Sequence, residues 1–149
     1  MGRITGGILM KTKKIKKPSR KKVVKELDDA FQMYIRYRDN WTCICCGKEI
    51  KSFQEGAKSI MHAGHYIDRG NYKTRWDEIN VNAQCKDCNG KEHWTKDKST
   101  YALRMLDKYG REELDALENR KHGLSGFSTA DLLEMTEKYK AKLLAYTMI

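Results

Sequence analysis

The sequence predicts a small α+β fold: two short strands and a helix clamped by paired cysteines, set between an N-terminal helix and several C-terminal helices. Three observations carry that expectation. Two Cys-x-x-Cys pairs, Cys43/Cys46 and Cys85/Cys88, bracket a segment with two short β-like runs. Apolar residues at helical spacing lie on both sides of that segment. Outside the first 25 residues the charges cancel, which leaves one neutral body of ordinary domain size.

The chain has 149 residues, with 30 Lys+Arg against 20 Asp+Glu and a formal net charge of +10. Ten of the basic residues, and no acid, fall in residues 1–25: Arg3, Lys11, Lys13, Lys14, Lys16, Lys17, Arg20, Lys21, Lys22 and Lys25. Charges of one sign at this density repel one another and resist burial, so residues 1–25 are expected to be a disordered basic arm. Such an arm condenses on a polyanion with release of counterions, and nucleic acid suits it best. No amphipathic apolar face accompanies the lysines, which argues against a membrane surface. No run approaches the ~18 apolar residues of a membrane span. The N-terminal apolar patch Ile8, Leu9, Met10 is too short for a secretory signal. A reducing cytoplasm is the expected compartment.

Val24, Leu27, Phe31, Tyr34 and Ile35 mark a helix ending near Arg38. Residues 60–67 and 79–84 read as strands joined by a polar segment with Gly70-Asn71, and a short helix follows from about Cys85. A further helix is expected from Ser99 as N-cap, with Ala102, Leu103, Leu106 and Tyr109 on its packed face and Gly110 as its stop. Residues 111–120 make another. Gly123 and Gly126 mark a hinge. Ser128 with Asp131 then resembles a capping box, Phe127 can staple to Leu132, and the last helix shows Leu132, Met135, Tyr139 and Leu143 on one side. Residues 26–149 are thus expected to be one domain, with a core at 41–95 and a helical part at 99–149.

All five cysteines lie between positions 43 and 88. In a reducing compartment disulfides are disfavoured. Two-residue spacing aims both thiolates of a knuckle at one ion, and two knuckles complete a tetrahedral zinc site from Cys43, Cys46, Cys85 and Cys88. Gly47 permits the tight turn after the first pair. A closed four-thiolate site has no open position, so this zinc would hold structure and leave chemistry to other groups. Cys45 is either a buried spare thiol or an alternative ligand.

The insertion between the pairs holds His62-Ala63-Gly64-His65-Tyr66 and Asn80, and Asn89 follows the last cysteine. Arg75-Trp76-Asp77-Glu78 and Asn80-Val81-Asn82-Ala83-Gln84-Cys85 complete the pattern. These residues resemble the HNH, or ββα-metal, nucleases and more closely the NinG/Rap family of phage recombination nucleases. The resemblance covers about residues 27–145. It implies a zinc-stabilised ββα-metal, treble-clef-like core, and a phage-encoded endonuclease of the bacterial cytoplasm acting on branched DNA such as Holliday junctions or D-loops.

Phosphodiester hydrolysis needs a base for water and a cation for charge on phosphate and leaving oxygen. A neutral imidazole suits the first task, and His65 is the candidate. The Asn89 amide oxygen suits a hard divalent ion, Mg2+ or Mn2+. The resemblance gives Asn80 the task of holding the loop or the His65 ring. The position before the base is Gly64, which cannot ligate. His62 stands where the family has an acid three residues earlier, and Asp68 is the alternative ligand. Residues three apart on a strand face opposite ways, so a bulge at Gly64 is expected if His62 and His65 share a site. A His ligand also makes Mn2+, Ni2+ or Zn2+ more suitable. Asn82 replaces a frequent family His. Arg69, Lys73, Arg75 and Lys91 are candidate phosphate contacts, together with Lys13, Lys14, Lys16, Lys17, Arg20, Lys21 and Lys22 of the arm. His93 and His122 read as surface residues. Symmetric cutting of a junction would favour a homodimer, with the last helix as interface and phage recombination proteins as partners. The rival readings are a non-catalytic zinc module that binds DNA, and a sequence-specific HNH nuclease of duplex DNA.

Overall fold

The computed structural model describes residue 2, residues 6–123 and residues 126–148. Arg3 of the arm, and residues 124–125 of the expected hinge, lie outside the described residues. The elements run α1 (Arg20–Arg38), α2 (Ala57–Ile60), β1 (Met61–His65), β2 (Val81–Cys85), α3 (Lys86–Thr95), α4 (Ser99–Tyr109), α5 (Arg111–Lys121) and α6 (Thr129–Thr147). The fold is therefore α+β, with a single two-stranded sheet among the described residues.

Helix α1 begins inside the segment assigned to the arm. The Ser19 side chain accepts the Lys22 N–H at 3.3 Å, and Val23, only 1% exposed, supplies an apolar contact one position before the stripe expected from the sequence. The boundary thus moves from 25 to 19, and residues 6–19 carry no regular element and are exposed. Helices α1 and α6 lie side by side and run the same way. Arg20 at the start of α1 donates to Phe127 O at 2.8 Å, just before α6, while Tyr34 stacks near Tyr146 at its end. Between them Val23, Leu27, Phe31, Leu132 and Tyr139 are buried, and Phe31 meets the Tyr139 ring edge-on at 4.8 Å. Each such side chain contributes about 1.5–3 kcal/mol of transfer free energy. The Ser128/Asp131 capping box is present, with Phe127 packed in the same cluster as Leu132.

The strands pair antiparallel in unbroken register from Met61↔Cys85 to His65↔Val81. No bulge occurs at Gly64, contrary to expectation. Glycine suits that position for another reason, because a Cβ would run into the buried Gln84 side chain, including its Cβ at 2.9 Å. A second core cluster under the sheet joins Trp41, Met61, Ala83, Tyr101, Met105 and Leu117 to the cysteine region.

Helix α4 presents a different face from the expected one. Tyr101 and Met105 are buried, whereas Leu103 is 63% and Leu106 38% exposed. Apolar residues span a broad side of this helix, wide enough for the packed stripe to centre on either of its edges. The Tyr101 hydroxyl settles the choice: it donates to Gly64 O at 2.6 Å and accepts the Asn82 N–H at 3.1 Å. Ser99 is the first helical residue and not the cap, since Asp97 Oδ1 takes its N–H at 2.9 Å. No helix among the described residues is long and apolar enough to cross a membrane.

Candidate functional site

Two knuckles build the cysteine centre. The bridge Thr42↔Glu49 closes a narrow loop, and Gly47 turns it with φ +74°, a left-handed value that favours glycine. Cys85 ends β2 and caps α3, its sulfur accepting the Cys88 N–H at 3.5 Å. The sulfurs of Cys43, Cys46, Cys85 and Cys88 all lie within 4.8 Å of one another, and Cys46 and Cys85 are 3.7 Å apart. Zn–S bonds of about 2.3 Å in a tetrahedron require sulfurs about 3.8 Å apart, so the four cysteines fit a structural zinc ion. The neighbouring Cys45 lowers the Cys43 pKa, whereas burial raises those of Cys85 and Cys88, so binding a metal would be what releases their protons. Cys45 itself stands outside the four-sulfur set. It is buried, with its sulfur accepting the Gln84 amide N–H at 3.4 Å and lying 3.5 Å from a Glu92 carboxylate oxygen.

Helix α3 depends on this centre. Its one buried residue is Glu92, so it has no apolar face to press against the body. Asn89 follows Cys88 directly and is thereby placed by the cysteines.

Beside the centre a cleft of about 1210 Å³ opens between β1, α3 and the C-terminal part of α1. His62, His65, Asp68 and Asn89 all line it. The His62 ring bridges two elements, with Nε2 at 3.1 Å from Ser59 O and Nδ1 at 3.0 Å from the Asn89 amide nitrogen. A carbonyl can only accept, so Nε2 carries the proton and the Nδ1 lone pair points toward Asn89. His62 and Asn89 are thus brought together by a hydrogen bond that occupies the Nδ1 lone pair, and an ion bound there would take the place of the Asn89 N–H. Asp68 is highly exposed and reaches Lys98 at 3.4 Å. Among the described residues the four cysteines are the only converging group of three or more His, Cys, Asp or Glu. An ion on His62 and Asn89 that took its remaining ligands from water and phosphate would match a habit of Mg2+.

His65 turns to the loop instead. Its Nε2 donates to Arg75 O at 2.9 Å, which leaves Nδ1 unprotonated. Burial, with lesser help from the charges of Arg69 and Arg75, pulls its pKa below the ordinary value and keeps the ring neutral. Both rings line the cleft without a bulge in β1, His62 turned to Asn89 of α3 and His65 to Arg75 of the 66–80 loop.

Asn80 is fully buried and does not reach the His65 ring. Its amide donates to Ile67 O at 3.0 Å and Thr74 O at 2.9 Å and accepts the Ile67 N–H at 2.7 Å. It fastens the loop whose next carbonyl, that of Arg75, holds His65. Of the two tasks expected for Asn80, loop-holding is the one its contacts show.

Several expected phosphate contacts are otherwise engaged. Arg75 forks onto Asp28, Nε at 3.0 Å, and Arg69 joins the same carboxylate at 2.7 Å. Trp76 Nε1 donates to it at 2.9 Å. These bonds hold the Asp28 carboxyl below its usual pKa despite burial, and they take Arg75 and much of Arg69 out of the supply of free cations. Arg20 is likewise committed to Phe127 O. Lys91 and the arm residues Lys13, Lys14, Lys16, Lys17, Lys21 and Lys22 remain exposed, and Lys73 is half-buried. Asn82, at the other side of the sheet, accepts from Arg38 at 3.0 Å and Lys108 at 3.1 Å and is fully buried.

Sequence reasoning missed Asp28, Arg36 and Lys98. Asp28 is an acid beside the buried stripe of α1, and that position was the available signal. Lys98 Nζ clips Tyr66 O at 2.6 Å at the end of β1. His93, exposed one turn after Asn89, stands on the cleft wall.

No curated protein and no solved structure matches the chain significantly. A family model described as the bacteriophage lambda NinG protein matches residues 8–147, nearly the whole chain. The chain belongs to the family of that phage protein.

Proposed function

We propose that the chain is a metal-dependent DNA endonuclease acting on branched recombination intermediates. The observation that supports this reading most is the neutral His65 ring, held by Arg75 O, on the same cleft as the His62–Asn89 pair. His65 Nδ1 would take a proton from the water that attacks phosphorus, leaving a 5′-phosphate and a 3′-hydroxyl. A divalent ion, when bound at His62 and Asn89, would neutralise charge on the phosphate and the leaving oxygen. Asn80, Asp28 and Lys98 keep β1 and the loop in place, and the exposed arm binds backbone phosphates. Phage-family membership supports recombination DNA as substrate and phage recombination proteins as partners. A homodimer would use the exposed side of α6, where Leu133 and Leu144 stand.

The test is nicking of supercoiled plasmid with Mg2+ or Mn2+. His65→Ala should lower the rate by about 10²–10⁴-fold, and Asn89→Ala should remove activity with zinc retained. Because burial depresses the His65 pKa, the base form persists below the ordinary histidine range. The rate should stay level from neutral pH into mild acid and fall only below that range. A rate that halves near the ordinary histidine pKa would remove buried His65 as the base. Faster cleavage of a four-way junction than of its linear arms separates junction selectivity from sequence-specific duplex cutting. A second reading, a zinc module that only binds DNA, is favoured by His62 standing where the family has an acid. Intact plasmid in every metal would select it.

A further inference from the structure

Arg36 is a buried cation without an anion. It is 7% exposed, its Nε donates to Met61 O at 2.7 Å, and its guanidinium lies 6.0 Å from the Trp41 ring. Arg38, Arg75 and Arg120 each pair with a carboxylate, respectively Asp39, Asp28 and Asp77. Among the described residues Arg36 has none, and Glu92 across the cleft bonds Cys45 instead. Burying an uncompensated charge is costly, and desolvation is what lowers its pKa. A guanidinium has five N–H donors, and the Met61 carbonyl uses one. The side chain lines the same cleft as His62 and His65, where Lys98 and Lys121 are paired with Asp68 and Glu118 and Lys96 is exposed.

We propose that Arg36 is a phosphate seat, its Nη groups taking two oxygens of a DNA phosphodiester at the floor of the cleft. The fork geometry suits a tetrahedral oxyanion, and the low-dielectric floor strengthens each bond. The role rests on the nuclease reading for its substrate, but phosphate binding can be measured without cleavage.

The experiment uses the zinc-loaded full chain and the variants Arg36→Met and Arg36→Lys. Thermal midpoints are measured with and without inorganic phosphate, with acetate as the carboxylate control, and binding of a labelled four-way junction is measured without added divalent ion. Phosphate should raise the midpoint of the wild type and acetate should not. Arg36→Met should lose that increment and bind the junction about tenfold or more weakly, and Arg36→Lys should recover only part of both. A merely structural role would shift the midpoint equally with and without phosphate, so an unchanged increment in Arg36→Met overturns the proposal. Equal stabilisation by acetate overturns it too. If the wild type fails to cleave but the increment is lost in Arg36→Met, the nuclease reading falls and the phosphate seat stands.

Discussion

The α1–α6 pair and the α3 region sit on one small sheet and are held by opposite means. The helical pair buries Leu27, Phe31, Leu132 and Tyr139 along its length and adds a capping box at the start of α6. Helix α3 buries no apolar side chain and is fixed at its first turn by Cys85 and Cys88. Apolar packing is non-directional and tolerates small shifts, whereas thiolates around an ion fix position and angle. The side chains proposed for chemistry stand beside the second device. A site that needs its groups placed within fractions of an ångström gains more from that device than from a greasy seam.

Stripping zinc should break the contrast most visibly. Zinc-finger peptides draw roughly 10–16 kcal/mol from their metal at neutral pH. Chelation should therefore expose the amides of α3 and β2 to hydrogen exchange and leave those of α1 and α6 protected. Continued protection of α3 would show that the cysteines are not its anchor. Leu132→Ala tests the other half. It should cost about 2–5 kcal/mol by cavity formation with zinc content unchanged, and loss of zinc along with stability would mean that the halves are not separable. The smallest effect belongs to Ser128→Ala, which removes one cap bond and should cost about 1 kcal/mol in denaturant titrations. No measurable cost there would place α6 stability in packing alone.

The sequence made the elements legible where period and punctuation agreed. Helix α6 followed from Ser128, Asp131 and the Leu132–Leu143 stripe, and the four cysteines followed from spacing alone. It misled where one helix had a broad apolar side: α4 turned on a hydroxyl bond of Tyr101 that no periodicity encodes. Likewise Arg69 and Arg75 looked free because their partner, Asp28, lies more than 40 residues away along the chain. The meeting of His62 with Asn89 was expected from a resemblance and arises through continuous β1 pairing, without the bulge at Gly64. Arg36 was invisible as a candidate, since an arginine in a helix announces neither its burial nor its lack of a counter-charge.

The Ser19 cap fixes where the lysine-rich tether leaves the body. Residues 6–19, fully stretched at about 3.3–3.6 Å each, reach roughly 50 Å from that root. With each base step rising about 3.4 Å, the tether can follow some fourteen base pairs, more than one turn of double helix. DNA seated in the cleft as proposed would then lie within reach of the tether a full turn away, from a root where α1 and α6 begin.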